Sequence, residues 1–532
     1  MKALERVSVH APLSYLLAGL LIGLPLSKMT QVPLTALLFF SLLTLLWAHR
    51  CTGTKKWYPL FLLAVILAAL AYGESRLPAP PDENALRLPA REARLELRIL
   101  RIYNERDLYG KTSGLATVRK APWESRLQVG DTLYFRFSNK DPLHQLYCGQ
   151  RLLCTGILIP IQKHEETDRS FENYLRSIGV YYRFERNGSI QWIESPPKAE
   201  VFYRKMNNRF QNTLGLGAPE KTQLAGIYRA MLLGRKNELS TAQREAFTST
   251  GTIHFFAISG LHIGVIALTF AYTLRLLCIP NWLAPWIGLS ALFLYVKITG
   301  ASPSAVRAFL MTGFYWLAFT CRRQSSPFVS LINSAVFVLC LLPRQLWSVG
   351  FQLSYCVVAS ILLLGLPLNQ TLGKMYRPYQ WLPKSSWNQW HQCIDATISG
   401  ACLLFSISLS AWLASAPFSA AYFGTFAPGG IFLNMLLVNL ASLVIVGGVL
   451  SIGLSLLHLD TVAAFINHAA WINLTLMEGL IDQFKKIPGA FFECSAFPVF
   501  WAYVATTAYL GLLIGLHALR GKPEKLDSRD GA

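Results

Sequence analysis

The feature that most constrains this chain is a succession of about a dozen apolar runs, each close to the ~20 residues an α-helix needs to cross a bilayer. Three open the chain, near residues 11–26, 33–48 and 57–73. Nine more follow, near 254–278, 282–298, 303–320, 327–342, 348–366, 397–420, 430–457, 461–482 and 497–519. The composition agrees: 53% of the 532 residues are hydrophobic, only 15% are charged, and mean hydropathy is +0.36. A water-soluble fold of this size is excluded on those grounds.

The charges are concentrated. Residues 74–254 hold 28 of the 49 Lys/Arg and 20 of the 29 Asp/Glu. A water-exposed region is therefore inserted between two membrane regions. The net charge of +20 suits an anionic partner, nucleic acid or lipid headgroups, but basic cytoplasmic loops account for much of it. Lys2 and Arg6 precede the first run, Lys28 follows it, and Arg50, Lys55 and Lys56 follow the second. The positive-inside rule then places the N-terminus in the cytoplasm and residues 74–220 outside it. Continued alternation puts Arg322, Arg323, Lys374, Arg377, Lys384 and the tail inside; Lys485 and Lys486 fall outside, against the rule.

The exported region begins with the linker "LPAPPDENALRLP". Short β-like runs follow: "ARLELRILRIY", "LATVRK", "DTLYFRFS", "RLLCTGILIP" and "GVYYRFERNGSIQW". Turn signals such as "VGD" and "RNGS" separate or interrupt them, so a small barrel is expected, the OB-fold being one candidate. The aromatic alternation in "DTLYFRFS" has two readings, a clamp for single-stranded nucleic acid or one buried face of a barrel strand; the second is favoured. Cys148 and Cys154 lie in this polar region, and in an exported domain they are a disulfide candidate. Residues 197–234 read as amphipathic helices, on the membrane surface or packed on the bundle.

The expected fold is thus a polytopic α-helical membrane protein with an inserted small extracytoplasmic β-barrel, OB-like. Residues 1–73 form three transmembrane helices, 74–196 the barrel, 197–253 connector helices, 254–519 a second transmembrane bundle and 520–532 a cytoplasmic tail.

Ionisable groups at membrane depth cost roughly 2.5–3.5 kcal/mol on insertion scales and need a reason. His254 and His262 flank Ile258-Ser259-Gly260. Either this is a discontinuous helix lining a polar cavity, or a tightly packed helix with satisfied histidines; spacing leaves both open. In "LYVKITGASPSAVRAFLM", Ser302 is a reasonable N-cap, Pro303 suits the first helical position and Arg307 lies one turn in. A helix start beside Lys297 and Arg307 can hold an anion, with snorkelling the alternative for Lys297. Gln352 reads foremost as an interhelical hydrogen-bonding residue. Gly447-Gly448 suggests a kink in the run 430–457. No H-x-H-x-D-H metal signature, P-loop or G-x-S-x-G elbow occurs, so no metal, cofactor or catalytic residue is assigned.

Several ordered blocks resemble the ComEC family of competence membrane channels: "STGTIHFFAISGLHIGVIA", its lead-in "AMLLGRKNELSTAQREAFTSTG", "TGASPSAVRAFLM", "SVGFQLSYCVVASILL", "FAPGGIFLNMLLVNLASLVIV" and "FENYLRSIGVYY". The resemblance implies a multi-pass channel in a bacterial inner membrane that passes single-stranded DNA inward, without catalysis of its own. It implies His254, Ser259, Gly260, His262, Ser302, Pro303, Arg307 and Gln352 as pore or DNA-path residues, with Arg307 meeting phosphates. Many members continue into a metallo-β-lactamase-like domain, which this sequence lacks. A separate nuclease, a cytoplasmic helicase or motor and an outer-face DNA receptor are then expected partners, besides membrane lipid. A transporter of another anionic solute, polysaccharide or lipid precursor, is the alternative; a hydrolase built on Ser259 and the histidines ranks lower, since the spacing is poor for catalysis.

Overall fold

The computed structural model describes residues 11–29, 32–77, 81, 83–104, 111–138, 146–162, 171–219, 223–322, 326–376, 378–379, 381–494 and 497–520. Arg323 and Arg377 of the expected inner loops, and the tail beyond 520, lie outside the described residues. Helices α1 (Ala11–Leu26), α2 (Leu34–Arg50) and α3 (Trp57–Arg76) come first, then a single turn, α4 (Glu83–Leu86). Strands β1 (Arg91–Asn104), β2 (Lys111–Lys120), β3 (Thr132–Ser138) and β4 (Arg151–Pro160) precede α5 (Phe171–Ser177) and β5 (Tyr182–Trp192). Then come α6 (Lys198–Leu214), α7 (Leu224–Leu233), α8 (Thr241–Ser249), α9 (Gly260–Leu276), α10 (Ala284–Ile298), α11 (Pro303–Thr320) and α12 (Pro327–Leu341). The last group is α13 (Val349–Ser360), α14 (Leu366–Met375), α15 (Gln389–Phe418), α16 (Gly430–Leu456), α17 (Asp460–Lys485) and α18 (Val499–Arg520), with the short pair β6 (Thr425–Phe426) and β7 (Phe492–Glu493).

The chain is a multi-pass membrane protein. Among the described residues, five helical stretches are long and apolar enough to cross a bilayer: Trp57–Arg76, Val349–Met375, Gln389–Phe423, Gly430–Leu456 and Val499–His517. Six further apolar helices of 10–17 residues, α9 and α10 among them, pack beside these.

The inserted domain is a closed five-stranded barrel in the order β1-β2-β3-β5-β4, as expected. The β3–β5 pairing is parallel and the others antiparallel. Period-two alternation turns Leu133, Phe135 and Phe137 of β3 into the core, against Leu95, Leu97, Val118 and Phe184. The alternation in "DTLYFRFS" thus builds a barrel wall. Tyr134, on the other face, lies beneath α5 with Phe171 at 5.2 Å.

The Cys148–Cys154 bridge does not form. Cys154 points into the barrel core opposite Leu95, while Cys148 sits half-buried in the turn before β4. Burial, with Glu200 beside it, pushes the Cys148 thiol pKa up, which disfavours the thiolate needed for exchange. Accordingly, Cys148→Ser should leave thermal stability within about 1 kcal/mol of wild type, and reductant should not change it; a reductant-dependent melting temperature would contradict this.

In the bundle, α7 is not a surface helix. Leu224, Ile227, Tyr228, Ala230, Met231, Leu232 and Leu233 are all buried, in one core with residues of α9, α10, α16 and α17. α16 runs unbroken through Gly447-Gly448 as one helix. Gly448 instead gives Leu232 room: a Cβ there would collide with the Leu232 side chain. The polar connector is thereby threaded into the apolar bundle, and this positions the segment that follows α8.

Candidate functional site

The segment between α8 and α9 is broken as its glycines and serine allow. Ser240 and Gln243 cap the start of α8 reciprocally. α8 ends at Ser249, and Gly251 takes φ +70°, a conformation that favours glycine. One 3₁₀ turn follows, Ile253–Phe256; then Ala257 and Ser259 are extended before α9 begins at Gly260. A single helix over 254–278 is therefore excluded, and the discontinuous alternative describes the backbone.

The two histidines differ in surroundings. His254 is exposed, with Nδ1 2.9 Å from the Gly251 carbonyl. His262 is fully buried, and its Nδ1 lies 2.9 Å from Ser259 Oγ and 3.4 Å from the Ser259 amide. Its Nε2 is buried without a hydrogen-bond partner. His262 therefore fixes the start of α9 from within, while His254 presents its ring to the open side. Cβ atoms at Gly260 and Gly264, one turn apart, would meet nothing within 4 Å, so this flank of α9 faces open space.

The break is locked to a second helix start. Ser304 Oγ donates to the Ile258 carbonyl at 2.6 Å, and Ser302 Oγ accepts from the Ala305 amide at 3.3 Å to cap α11. Pro303 occupies the first position of that helix. Gly300 and Ala301 turn the chain into it with φ of +86° and +47°. One turn on, Arg307 Nη2 donates at 2.8 Å to the Gly350 carbonyl of α13, whose N-cap Ser348 accepts from the Phe351 amide at 3.1 Å. Three helix starts with serine at the N-cap, Ser259, Ser302 and Ser348, are thus joined in a row by Ser304 and Arg307. Each contributes a partial positive charge.

Arg307 is only 3% exposed, and its Nε has no partner. Among the described residues no carboxylate pairs with it. Its expected direct contact with phosphate does not match this placement: the guanidinium lies between α11 and α13. Gln352 stands apart. Its amide donates to the Leu346 carbonyl at 2.9 Å and accepts from Tyr503 Oη at 3.1 Å, which ties α13 to α18. That is the interhelical role read from its position.

Several contributors are silent in the spacing of the histidines. Lys236 and Arg244 are exposed on the approach to the break; Arg244 Nη2 donates to the Lys236 carbonyl at 2.8 Å, and Lys236 lies within electrostatic reach of His254. Ser304 and Ser348 were legible only as serines beside helix starts. Among the described residues, no group of three His, Cys, Asp or Glu is placed to hold a metal ion.

Residues 231–520 match the family model described as Competence protein. "ComE operon protein 3" of Bacillus subtilis (strain 168) is 32% identical over 181 residues, 33% of this chain and 23% of that protein. "Competence protein ComA" of Neisseria gonorrhoeae is 28% identical over 145 residues, 26% of this chain and 21% of that protein. An uncharacterized protein of Aquifex aeolicus (strain VF5) is 31% identical over 142 residues, 26% of this chain and 33% of that protein. No solved structure matches. The matches therefore span about a fifth to a third of these relatives' length.

Proposed function

We infer what this chain does from the fact that it belongs to the Competence protein family. We propose that it is an inner-membrane channel through which single-stranded DNA passes into the cytoplasm during natural transformation, acting without catalysis of its own. One observation carries this reading: three helix starts are linked in a row through Ser304 and through Arg307, a buried cation with no carboxylate partner among the described residues. Such a row makes a positive field without a fixed counter-ion, which favours a passing polyanion over a tightly held one. The exposed Lys236 and Arg244 extend that field past His254 to the open flank of α9, where Gly260 and Gly264 leave room for a backbone. His262 and Ser259 hold the break, and Ser302, Pro303 and Ser304 hold the second helix start against it.

On this reading the barrel is extracytoplasmic and the partners are the DNA strand, a receptor on the outer face, a nuclease and a cytoplasmic helicase or motor. Deleting the gene should abolish transformation by both single-stranded and duplex DNA. A chromosomal Lys236→Glu/Arg244→Glu pair should lower transformation about tenfold through weakened phosphate attraction, at unchanged protein abundance. Undiminished transformation in the deletion strain would refute the reading; a growth defect with normal transformation would favour transport of another anionic solute.

A further inference from the structure

The β2–β3 connection, residues 121–131, is pinned from within. Ser125 Oγ donates to the Pro122 carbonyl at 2.7 Å, and the Leu127 amide donates to Ser125 Oγ at 3.3 Å. The Gln128 amide donates to Asp131 Oδ2 at 2.8 Å, and Arg91 Nη2 donates to the Ser125 carbonyl at 2.6 Å. Leu127 turns onto the barrel core. A loop so tied has a fixed shape, yet it leaves Trp123 85% exposed and Val129 71% exposed. A Trp packed against nothing on a rigid loop marks a surface that something else covers.

The location of the loop identifies the cover. The same end of the barrel meets the bundle. A Cβ on Gly179 would lie 3.0 Å from the Arg344 guanidinium, and Asp131 and Tyr181 are within electrostatic reach of that group. Arg344 belongs to the 343–347 turn that joins the apolar helix α12 to α13, so it marks the edge of the apolar zone. Lys28, in the turn after α1, stands 3.6 Å over the Trp347 ring, which brings a second inter-helix turn to the same level. The charges at this edge fit a lipid surface too: Arg119 and Lys120 at the end of β2 and Arg126 in the loop, all exposed, stand against the loop's two carboxylates, Glu124 and Asp131.

We propose that Trp123 and Val129 lie in the headgroup layer of the bilayer around the protein's own helices and hold the barrel down on the membrane. An indole suits that layer because its ring is apolar while its N–H still reaches water or phosphate. The barrel is then fixed at both ends, by this loop and by α6, whose Arg204 donates to the Leu146 carbonyl at 3.0 Å.

The test uses the full chain in nanodiscs of phosphatidylcholine and phosphatidylglycerol. A fluorescent, polarity-sensitive amino acid is placed at position 123, at 129, or at the exposed Arg98 as a control. Positions 123 and 129 should emit further to the blue than 98 and should be quenched about twofold or more by headgroup spin-labelled lipid, as an interfacial residue is. Emission and quenching equal to position 98 at both sites would overturn the proposal. So would a shift that appears only when a single-stranded oligonucleotide is added, which would assign the face to nucleic acid instead.

Discussion

Replacing Arg307 with Glu should cut transformation frequency by at least about 100-fold. Reversing a buried charge between the starts of α11 and α13 removes the attraction for phosphate and adds repulsion, and a loss of only about 2.7 kcal/mol already gives that factor. The mutant could also fail to fold, since an uncompensated buried charge costs about 3–5 kcal/mol. Two further substitutions separate the causes. Arg307→Gln keeps a donor for the Gly350 carbonyl but removes the charge. Arg307→Lys keeps the charge and loses the planar fork. If the charge matters, Arg307→Gln loses uptake at normal membrane abundance while Arg307→Lys retains a measurable part of it. If Arg307 is only a clamp between α11 and α13, Arg307→Gln should transform normally. That result would remove Arg307 from the DNA path and leave the helix starts to act alone.

Much of this architecture was legible because its signals are local. Apolar run length marked the helices, alternation in "DTLYFRFS" marked a barrel wall, and turn signals set off the other strands. Ser259-Gly260 between the histidines allowed a break, while spacing left a continuous packed helix equally open. What stayed hidden depends on which groups meet across the fold. Nothing in the spacing of "SPSAVR" says that Ser304 will reach Ile258, 46 residues away, or that Arg307 will find the Gly350 carbonyl. The same holds for burial. The amphipathic stretch 197–234 read equally as a surface element or as a connector packed on the bundle, and only the fold shows α7 within it surrounded by α9, α10, α16 and α17. The cysteines misled for a related reason: two thiols close in sequence point to different environments once β4 alternates, so Cys154 faces the core and Cys148 stays in the turn.

The second large effect is expected at Asn467, far in sequence from the break. Asn467 is fully buried on α17. Its Nδ2 donates to the Thr213 carbonyl at 2.9 Å and the Leu216 carbonyl at 3.1 Å, the last carbonyls of α6 and the turn after it. Its Oδ1 accepts from Tyr228 Oη of α7 at 3.4 Å. One amide thus satisfies the end of one connector helix and a buried hydroxyl of the next. Asn467→Leu leaves the Leu216 carbonyl and the Tyr228 hydroxyl without a partner among the described residues, while the Thr213 carbonyl keeps the Leu216 amide at 3.1 Å; at about 1–3 kcal/mol for each unsatisfied group the loss is roughly 2–6 kcal/mol in all. Asn467→Asp should be worse at neutral pH, because a carboxylate would face two carbonyls with no donor to offer. Thermal unfolding of the detergent-solubilised chain measures the loss, and an unchanged midpoint in both mutants would refute the assignment. The consequence for transport follows from the packing: α6 and α7 seat Leu232 against Gly448 and lead, through α8 and its cap, into the 251–259 break. A mild substitution, Asn467→Gln, should therefore lower transformation further than it lowers abundance, because the break loses its register before the bundle loses its fold.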